Sequence, residues 1–426
     1  MKIEEIYQCF LQCESISTDT RKIEPNSLFV ALRGDNFDAN TFAEEALKKG
    51  ALFVIIDNKN YFTDPEKMIL VGDSLKTLQD LANYHRKQLG LTILALTGSN
   101  GKTTTKELIY SVLSKKYETK ATLGNLNNHI GVPLTLLSFD ANTDIGIVEM
   151  GANHQKEIEQ LCAIAEPDFG YITNFGKAHL EGFGGVEGVI KGKSELYTYL
   201  RENQKTVFIN LDDPIQVEKT EHITTYGFST KDKGNILIKS ITANPFVKVE
   251  FSNQSIQSHL IGIYNANNIN AAITIGKYFN IHEEDIKQAI ENYIPSNNRS
   301  QLINKGSNQI ILDAYNANPS SMAAALNNFL QLDSDSKIAI LGDMFELGNE
   351  SLCEHKKIVE NAKKETNITF YFIGKDFFSN RTEENHLLFF ENYDDFSKKH
   401  QNKPKNSIIL IKGSRGMALE RALDLL

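Results

Sequence analysis

The residues with the clearest chemical meaning lie at 97–104, reading Thr97-Gly98-Ser99-Asn100-Gly101-Lys102-Thr103-Thr104. A polyphosphate is held where the backbone N–H groups of a glycine-bearing turn and the first turn of a helix converge on it. Here Gly98, Ser99, Asn100, Gly101 and Thr104 would line the anion and Lys102 would reach the outer phosphates. The Thr103 hydroxyl would hold a magnesium ion. The strict phosphate-loop pattern asks for glycine at position 96, where this chain has Leu96. The expected ligand is ATP or GTP. Glu149 follows the apolar run Ile145-Gly146-Ile147-Val148, and a carboxylate at the end of a strand beside such a loop suits magnesium, directly or through water. Its other reading is a solvated strand-end acid. His179 falls just past a strand ending near Ile172, at the sheet edge where α/β proteins bind ligands, although a lone histidine is more often structural. Lys193, taken alone, reads as a solvated helix lysine. Asn125, Asn127 and Asn128 sit in the amide-rich stretch 124–133, which suits a polar substrate or an amide-rich turn.

These groups need strands and helices to hold them. The loop is preceded by the apolar run 91–96, expected as a buried strand, and followed by helical spacing over 102–115. Further strands are expected at 145–148, 169–172 and 206–209, and alternation with helices indicates a mainly parallel sheet covered on both faces. Before the loop, runs at 27–32 and 51–56 flank a helical stretch at 41–49, a small α/β unit. A helix over 281–294 ends at Pro295, and the polar turn Ser296-Asn297-Asn298 marks a boundary. Beyond it, strand-like runs at 310–312, 337–341, 369–373 and 407–411 alternate with helices, as in a doubly wound domain. The fold class is α/β in three domains: 1–88, a small α/β unit; 89–295, a central domain with the phosphate loop; and 296–426, a Rossmann-like unit.

At 426 residues the chain exceeds one ordinary core, and 41% apolar with 23% charged residues is the balance of a soluble globular protein. A net charge of -9 argues against nucleic acid as the main partner. The N-terminus is acidic within five residues, unlike a secretory signal, and no run nears the ~20 apolar residues that cross a bilayer. Cys9, Cys13, Cys162 and Cys353 lack paired metal spacing; Cys9 and Cys13 suit one helix face, and reduced thiols are expected. The expected location is cytoplasmic.

The loop at 97–104 is similar to the ATP loop of the Mur ligases, whose version also lacks the first glycine, so Leu96 becomes a marker of likeness. Other blocks resemble the D-alanyl-D-alanine-adding branch of that family. They are 124–133, Val148-Glu149-Met150-Gly151-Ala152, and Asn174-Phe175-Gly176-Lys177-Ala178-His179-Leu180-Glu181-Gly182-Phe183-Gly184. Leu312-Asp313-Ala314-Tyr315-Asn316-Ala317-Asn318-Pro319, Leu341-Gly342-Asp343-Met344-Phe345-Glu346-Leu347-Gly348 and Lys412-Gly413-Ser414-Arg415 complete the set, in family order along nearly the whole chain. The resemblance implies an N-terminal domain binding a uridine nucleotide, a central ATPase domain, and a C-terminal domain that closes over ATP and presents the amine. It implies Glu149 and His179 at a magnesium site with Thr103, and Lys193 as an N-carboxylated ligand of a second magnesium ion. Lys102, His179 and Lys193 are the expected catalytic groups, and Asn268, Arg299 and Asp313 the further ATP contacts. Tyr264 stands where the family commonly has histidine, and Asn298 where it often has glycine. Thr20 and Arg21 match a uridine-binding block, whereas Asp38-Ala39-Asn40 departs from the usual Asp-Gly-His. Asn125, Asn127, Asn128, Tyr315, Asn316, Asn318 and Arg415 are the other expected substrate contacts.

The implied reaction joins D-alanyl-D-alanine to UDP-N-acetylmuramoyl-tripeptide at the expense of ATP, by way of an acyl phosphate, in a monomer with no membrane insertion. The open alternatives are another amide ligase of the superfamily, such as a folylpolyglutamate synthetase, and a phosphate-loop kinase or NTP-driven switch.

Overall fold

The computed structural model describes residues 1–231, 234–296, 298–399 and 403–426. Asn297, in the expected boundary turn, lies outside the described residues. The N-terminal unit carries a parallel sheet in the order Ser15–Ser17, Ser27–Val30, Ala51–Ile56, Met68–Leu70. The strand Ser27–Val30 is buried along its whole length, which is why it reads as a continuous apolar run. The helix expected at 41–49 forms over Ala43–Lys48, entered through a 3-10 turn at Ala39–Phe42. Cys13 lies beyond the helix Ile3–Phe10 that carries Cys9, so the two thiols do not share a helix face; Cys13 Sγ instead meets the Cys9 carbonyl oxygen at 3.4 Å.

Helix Ser74–Leu89 starts with Asp73 accepting from Lys76 N (2.8 Å) and stops at Gly90, in the left-handed region at φ +62°. Its buried face, with Leu78, Leu81, Ala82 and His85, packs on helix Ile3–Phe10 and on Gly131–Leu137 and Glu157–Ala165 further along the chain. His85 ties three elements together: Nε2 meets the Phe139 carbonyl oxygen at 2.9 Å and Nδ1 meets the Tyr7 hydroxyl at 3.2 Å. The helix at the first expected boundary is thus a shared wall between units, not a linker.

The central sheet runs 254–261, 246–251, 236–243, 224–229, 206–210, 169–172, 92–97, 145–149, 119–121 in spatial order. Its far end is an antiparallel ribbon, 236–261, where buried positions alternate with more exposed ones along much of each strand. The rest is parallel, as expected. Strand Thr92–Thr97 lies between Phe169–Ile172 and Ile145–Glu149, with Thr97 opposite Ile172 and Leu96 opposite Glu149. Parallel strands end on one side, so this register brings the phosphate loop, Glu149 and the segment after Ile172 to the same sheet edge. Helix Lys102–Leu113 packs on Ala266–Tyr278, a helix that arrives only after the ribbon. The helix expected over 281–294 is shorter, Glu283–Glu291.

The C-terminal sheet is ordered Gln301–Lys305, Asn308–Asp313, Ile408–Lys412, Lys337–Gly342, Ile368–Ile373, Leu387–Phe390. The first pair is antiparallel and the others parallel. Asp313 and Lys412 face each other in register at the ends of their strands. No helix among the described residues is long and apolar enough to cross a membrane.

Candidate active site

A cavity of about 860 Å³ opens where the loop edge of the central domain meets the strand ends of the C-terminal one. Ser99 to Thr104 line it, and the backbone explains the glycines. Gly98 sits at φ +141° with Thr173 so close that any Cβ would strike its hydroxyl. Gly101 is at φ +79°, and a Cβ there would come 2.6 Å from Asn268 Oδ1. Lys102 opens the helix with Nζ folded back on the Gly98 carbonyl oxygen (2.7 Å). Burial pulls its ammonium below the usual lysine range; Glu149 opposes that shift and Arg299 adds to it.

Glu149 is 2% exposed, which rules out the solvated strand-end reading. Its Oε2 accepts from Thr103 Oγ1 (3.0 Å), its Oε1 from Asn127 Nδ2 (2.9 Å), and its N–H donates to Thr122 Oγ1 (2.9 Å). A hydroxyl and a carboxylate in contact form a hard oxygen pair. No group of three or more His, Cys, Asp or Glu residues is placed to hold a metal ion among the described residues. That donor set fits magnesium, which takes one or two protein oxygens and completes its shell with phosphate and water.

His179 also lines the cavity, at φ +53°, and its Nδ1 pairs with a carboxylate oxygen of Glu346 from the C-terminal domain. Lys193 overturns its solvated reading: it is 0% exposed, at the end of helix Val186–Lys193. Nζ reaches the Ala152 carbonyl oxygen (3.1 Å) and lies 5.0 Å from the Phe183 ring centre. Ala152 lines the cavity, so the lysine stands directly behind its wall. Burial drives Lys193 well below the usual lysine value, the charge of Lys102 adds to the shift, and Glu157 and Glu195 oppose it.

Asn268 closes the loop from the far side, accepting from Thr105 Oγ1 (3.0 Å) and donating to Asn265 Oδ1 (2.8 Å). Tyr264, standing where the family commonly has histidine, lines the cavity and meets Ser300 Oγ at 3.1 Å. From the C-terminal domain come Arg299, Asp313, Tyr315, Asn316 and Asn318. The Arg299 guanidinium lies 3.6 Å from the Tyr315 ring centre. Asp313 accepts from Lys412 Nζ (2.6 Å) and Ser300 N (3.1 Å). Asn318 caps helix Pro319–Gln331 through Ser321 N and donates to Asn100 Oδ1 across the domain boundary (2.7 Å). Two further contacts hold the same boundary, Lys177 Nζ to Glu354 (3.0 Å) and Lys177 N to Ser320 Oγ (2.8 Å).

Asn125, Asn127 and Asn128 line the cavity; Arg415 does not, standing 5.8 Å from the Tyr315 ring centre and paired with Glu420. Thr20 and Arg21 line a separate cavity of about 700 Å³ in the N-terminal unit, beside Phe37 and Phe42, whose rings stack at 5.7 Å. The Arg21 side chain is 86% exposed and doubly bonded to Asp19. Asn40 does structural work there, donating to Asp38 (2.6 Å) and Asp57 (2.8 Å) and accepting from Asp57 N. The sequence reading passed over Lys412, 1% exposed on the cavity wall, and Glu346; each lies inside a block noticed for other residues.

Residues 96–276 match the Mur ligase middle domain and 298–415 the Mur ligase, glutamate ligase domain. The UDP-N-acetylmuramoyl-tripeptide–D-alanyl-D-alanine ligase of Bacillus subtilis (strain 168) is 35% identical over 425 residues, 95% of this chain and 91% of that one. A crystal structure of MurF from Acinetobacter baumannii superposes with TM-score 0.87 at 30% identity, covering 100% of this chain and 98% of the other. The MurF ligase from Thermotoga maritima in complex with ADP gives 0.85 at 26% identity, with 98% and 97% covered. The chain belongs to the Mur ligase family, in its UDP-N-acetylmuramoyl-tripeptide–D-alanyl-D-alanine ligase branch.

Proposed function

We propose that this protein joins D-alanyl-D-alanine to UDP-N-acetylmuramoyl-tripeptide, with hydrolysis of ATP to ADP and phosphate, to make a peptidoglycan precursor. The observation that carries the reading is the cavity between two domains. It sets a phosphate loop (Lys102, Thr103) against Arg299, Asp313 and Lys412 of the other domain. A carboxylate is a poor acyl donor, because an oxide would have to leave. Transfer of the γ-phosphoryl group to it makes an acyl phosphate, the amine attacks, and the tetrahedral adduct expels phosphate. Bringing an anionic carboxylate to a polyphosphate needs concentrated positive charge, so the protein's task is placement and electrostatics.

In this reading the backbone N–H groups at 98–104 cradle the phosphates and Lys102 leaves Gly98 for the outer ones. Asn268 lies on the adenine side, Arg299 faces phosphate and Asp313 the ribose. Magnesium, when bound, neutralises the phosphate oxygens, and Thr103, Glu149 and His179 are the groups that would hold it. Asn125, Asn127 and Asn128 line the acceptor side, while Tyr315, Asn316 and Asn318 serve the amine; Arg415, outside the cavity beside Tyr315, would have to turn in from Glu420 to join them. Thr20 and Arg21 serve the uridine end, in the second cavity. Burial favours the neutral amine of Lys193, the form that adds carbon dioxide to give a carbamate and a released proton. A carbamate would place an anionic oxygen ligand for a second magnesium ion behind the cavity wall. The protein acts in this scheme as a cytoplasmic monomer.

The test is ADP release with UDP-N-acetylmuramoyl-tripeptide, with and without D-alanyl-D-alanine, and mass spectrometry of the product. Amine-dependent release and a product heavier by the dipeptide less water are expected. Sustained ADP release without the amine, with a stable phosphorylated product set free, would make the protein a kinase.

A further inference from the structure

Residues 343–348 form the loop by which the C-terminal domain touches the turn after His179. Glu346 pairs with His179, and its carbonyl oxygen accepts from Glu181 N at 3.3 Å. Glu346 sits at φ +63°, a conformation that a non-glycine residue keeps only when its neighbours hold it. Three successive N–H groups do the holding. Asp343 N donates to the Ile373 carbonyl oxygen (3.1 Å), Met344 N to His355 Nε2 (2.9 Å) and Phe345 N to Ser414 Oγ (2.9 Å).

The middle anchor is a fully buried imidazole, 0% exposed, edge-on to the Phe377 ring at 4.5 Å. Because Met344 N is a donor, Nε2 must present its lone pair, and the ring proton therefore sits on Nδ1, 2.7 Å from the Ser351 carbonyl oxygen. Asp343, 3.6 Å from Nε2, has its carboxylate taken up by Asp376 N and Phe377 N, each at 3.0 Å. The ring is held as one neutral tautomer, more than packing alone requires.

We propose that His355, as its neutral Nδ1–H form, is a positioning residue for the ligase reaction. It fixes the loop that carries Glu346 to His179 and so sets the pose of the C-terminal domain over the phosphate loop. The inference rests on the ligase reading above. His355 touches no substrate and acts through Met344 and Glu346.

The side-chain amide of glutamine can place its oxygen where Nε2 stands, whereas asparagine reaches only to the position of Nδ1. In full-length protein, His355→Asn should raise KM for D-alanyl-D-alanine roughly tenfold, the weight of one lost buried hydrogen bond. His355→Gln should stay within about threefold of the native value by the same reckoning. Glu346→Ala, at a half-exposed side chain, should fold normally and raise the same KM. A purely structural histidine would lower Tm and the active fraction in both histidine variants and leave KM alone, which overturns the proposal. Equal impairment of the Gln and Asn variants overturns it too, as does a native KM in Glu346→Ala. If His355→Asn does not fold, the Gln and Glu346 variants decide. Native protein without amine-dependent ADP release would refute the ligase reading itself, separately from any variant.

Discussion

Gly101→Ala perturbs the nucleotide loop at one atom. The left-handed backbone at φ +79° costs alanine about 1–2 kcal/mol. The new Cβ would stand 2.6 Å from Asn268 Oδ1, so the amide must turn away, losing its bonds to Thr105 Oγ1 and Asn265 Oδ1. At about 1 kcal/mol each, these bring the total to roughly 3–4 kcal/mol. If that strain is released by distorting the loop, ATP-analogue affinity falls a few hundredfold, at 1.36 kcal/mol per decade. Calorimetric titration measures this directly. A double-mutant cycle locates the cause: in an Asn268→Ala background, the glycine substitution should cost only the backbone part, about 1–2 kcal/mol. Affinity within threefold of native in the single variant, or full additivity in the cycle, would refute the reasoning.

Lys193→Ala should abolish amine-dependent ADP release, with partial return when a small carboxylic acid is supplied; full activity without rescue would remove the lysine from the mechanism. Lys193→Met should melt higher than native in bicarbonate-free buffer, by roughly 2–4 °C for each kcal/mol of relieved desolvation. The native amine is depressed and the unfolded one is not, so the unfolded state binds the extra proton. The cost is therefore largest at low pH and fades as pH rises towards the ordinary lysine value, and the variant's advantage should shrink between pH 7 and 9.5. Glu149→Gln keeps a partner for Asn127 but removes the charge, and should cost about 10²-fold or more in kcat; steady-state rates at saturating magnesium would show it. Asn318→Ala removes a helix cap and a bond across the domains, lowering stability by about 1 kcal/mol in denaturant melts and loosening the domain pair in small-angle scattering.

How much of this was legible depended on whether a feature is local. The phosphate loop was, because its chemistry needs certain residue types in unbroken order. The inner parallel strands were too, since burial on both faces leaves plain apolar runs, whereas the partly exposed parallel strands Thr119–Ala121 and Thr224–Ser229 were not. The ribbon at 236–261 was not: its strands alternate in burial, and Lys239, Lys248 and Glu250 break the apolar pattern. Lys193 could not be read as buried, because the ring that covers it comes from Phe183 and the carbonyl oxygen from Ala152, 41 residues away. Lys412 owes its place to the strand register with Asp313, 99 residues earlier, which neither residue announces. Glu149 and His179 were expected at the sheet edge from position alone and both line the cavity, but the pairing of His179 with Glu346 exists only once the domains meet.

The span between Thr105 and Asn268, 163 residues, has a bearing on biosynthesis. A chain emerging from the ribosome displays its nucleotide loop long before the helix that completes it, because the ribbon at 236–261 is made in between. Until then Asn268, which stands against Gly101 and accepts from Thr105, is missing from the loop. ATP affinity is therefore acquired late, and binding of the nucleotide rewards only chains whose middle domain has finished folding.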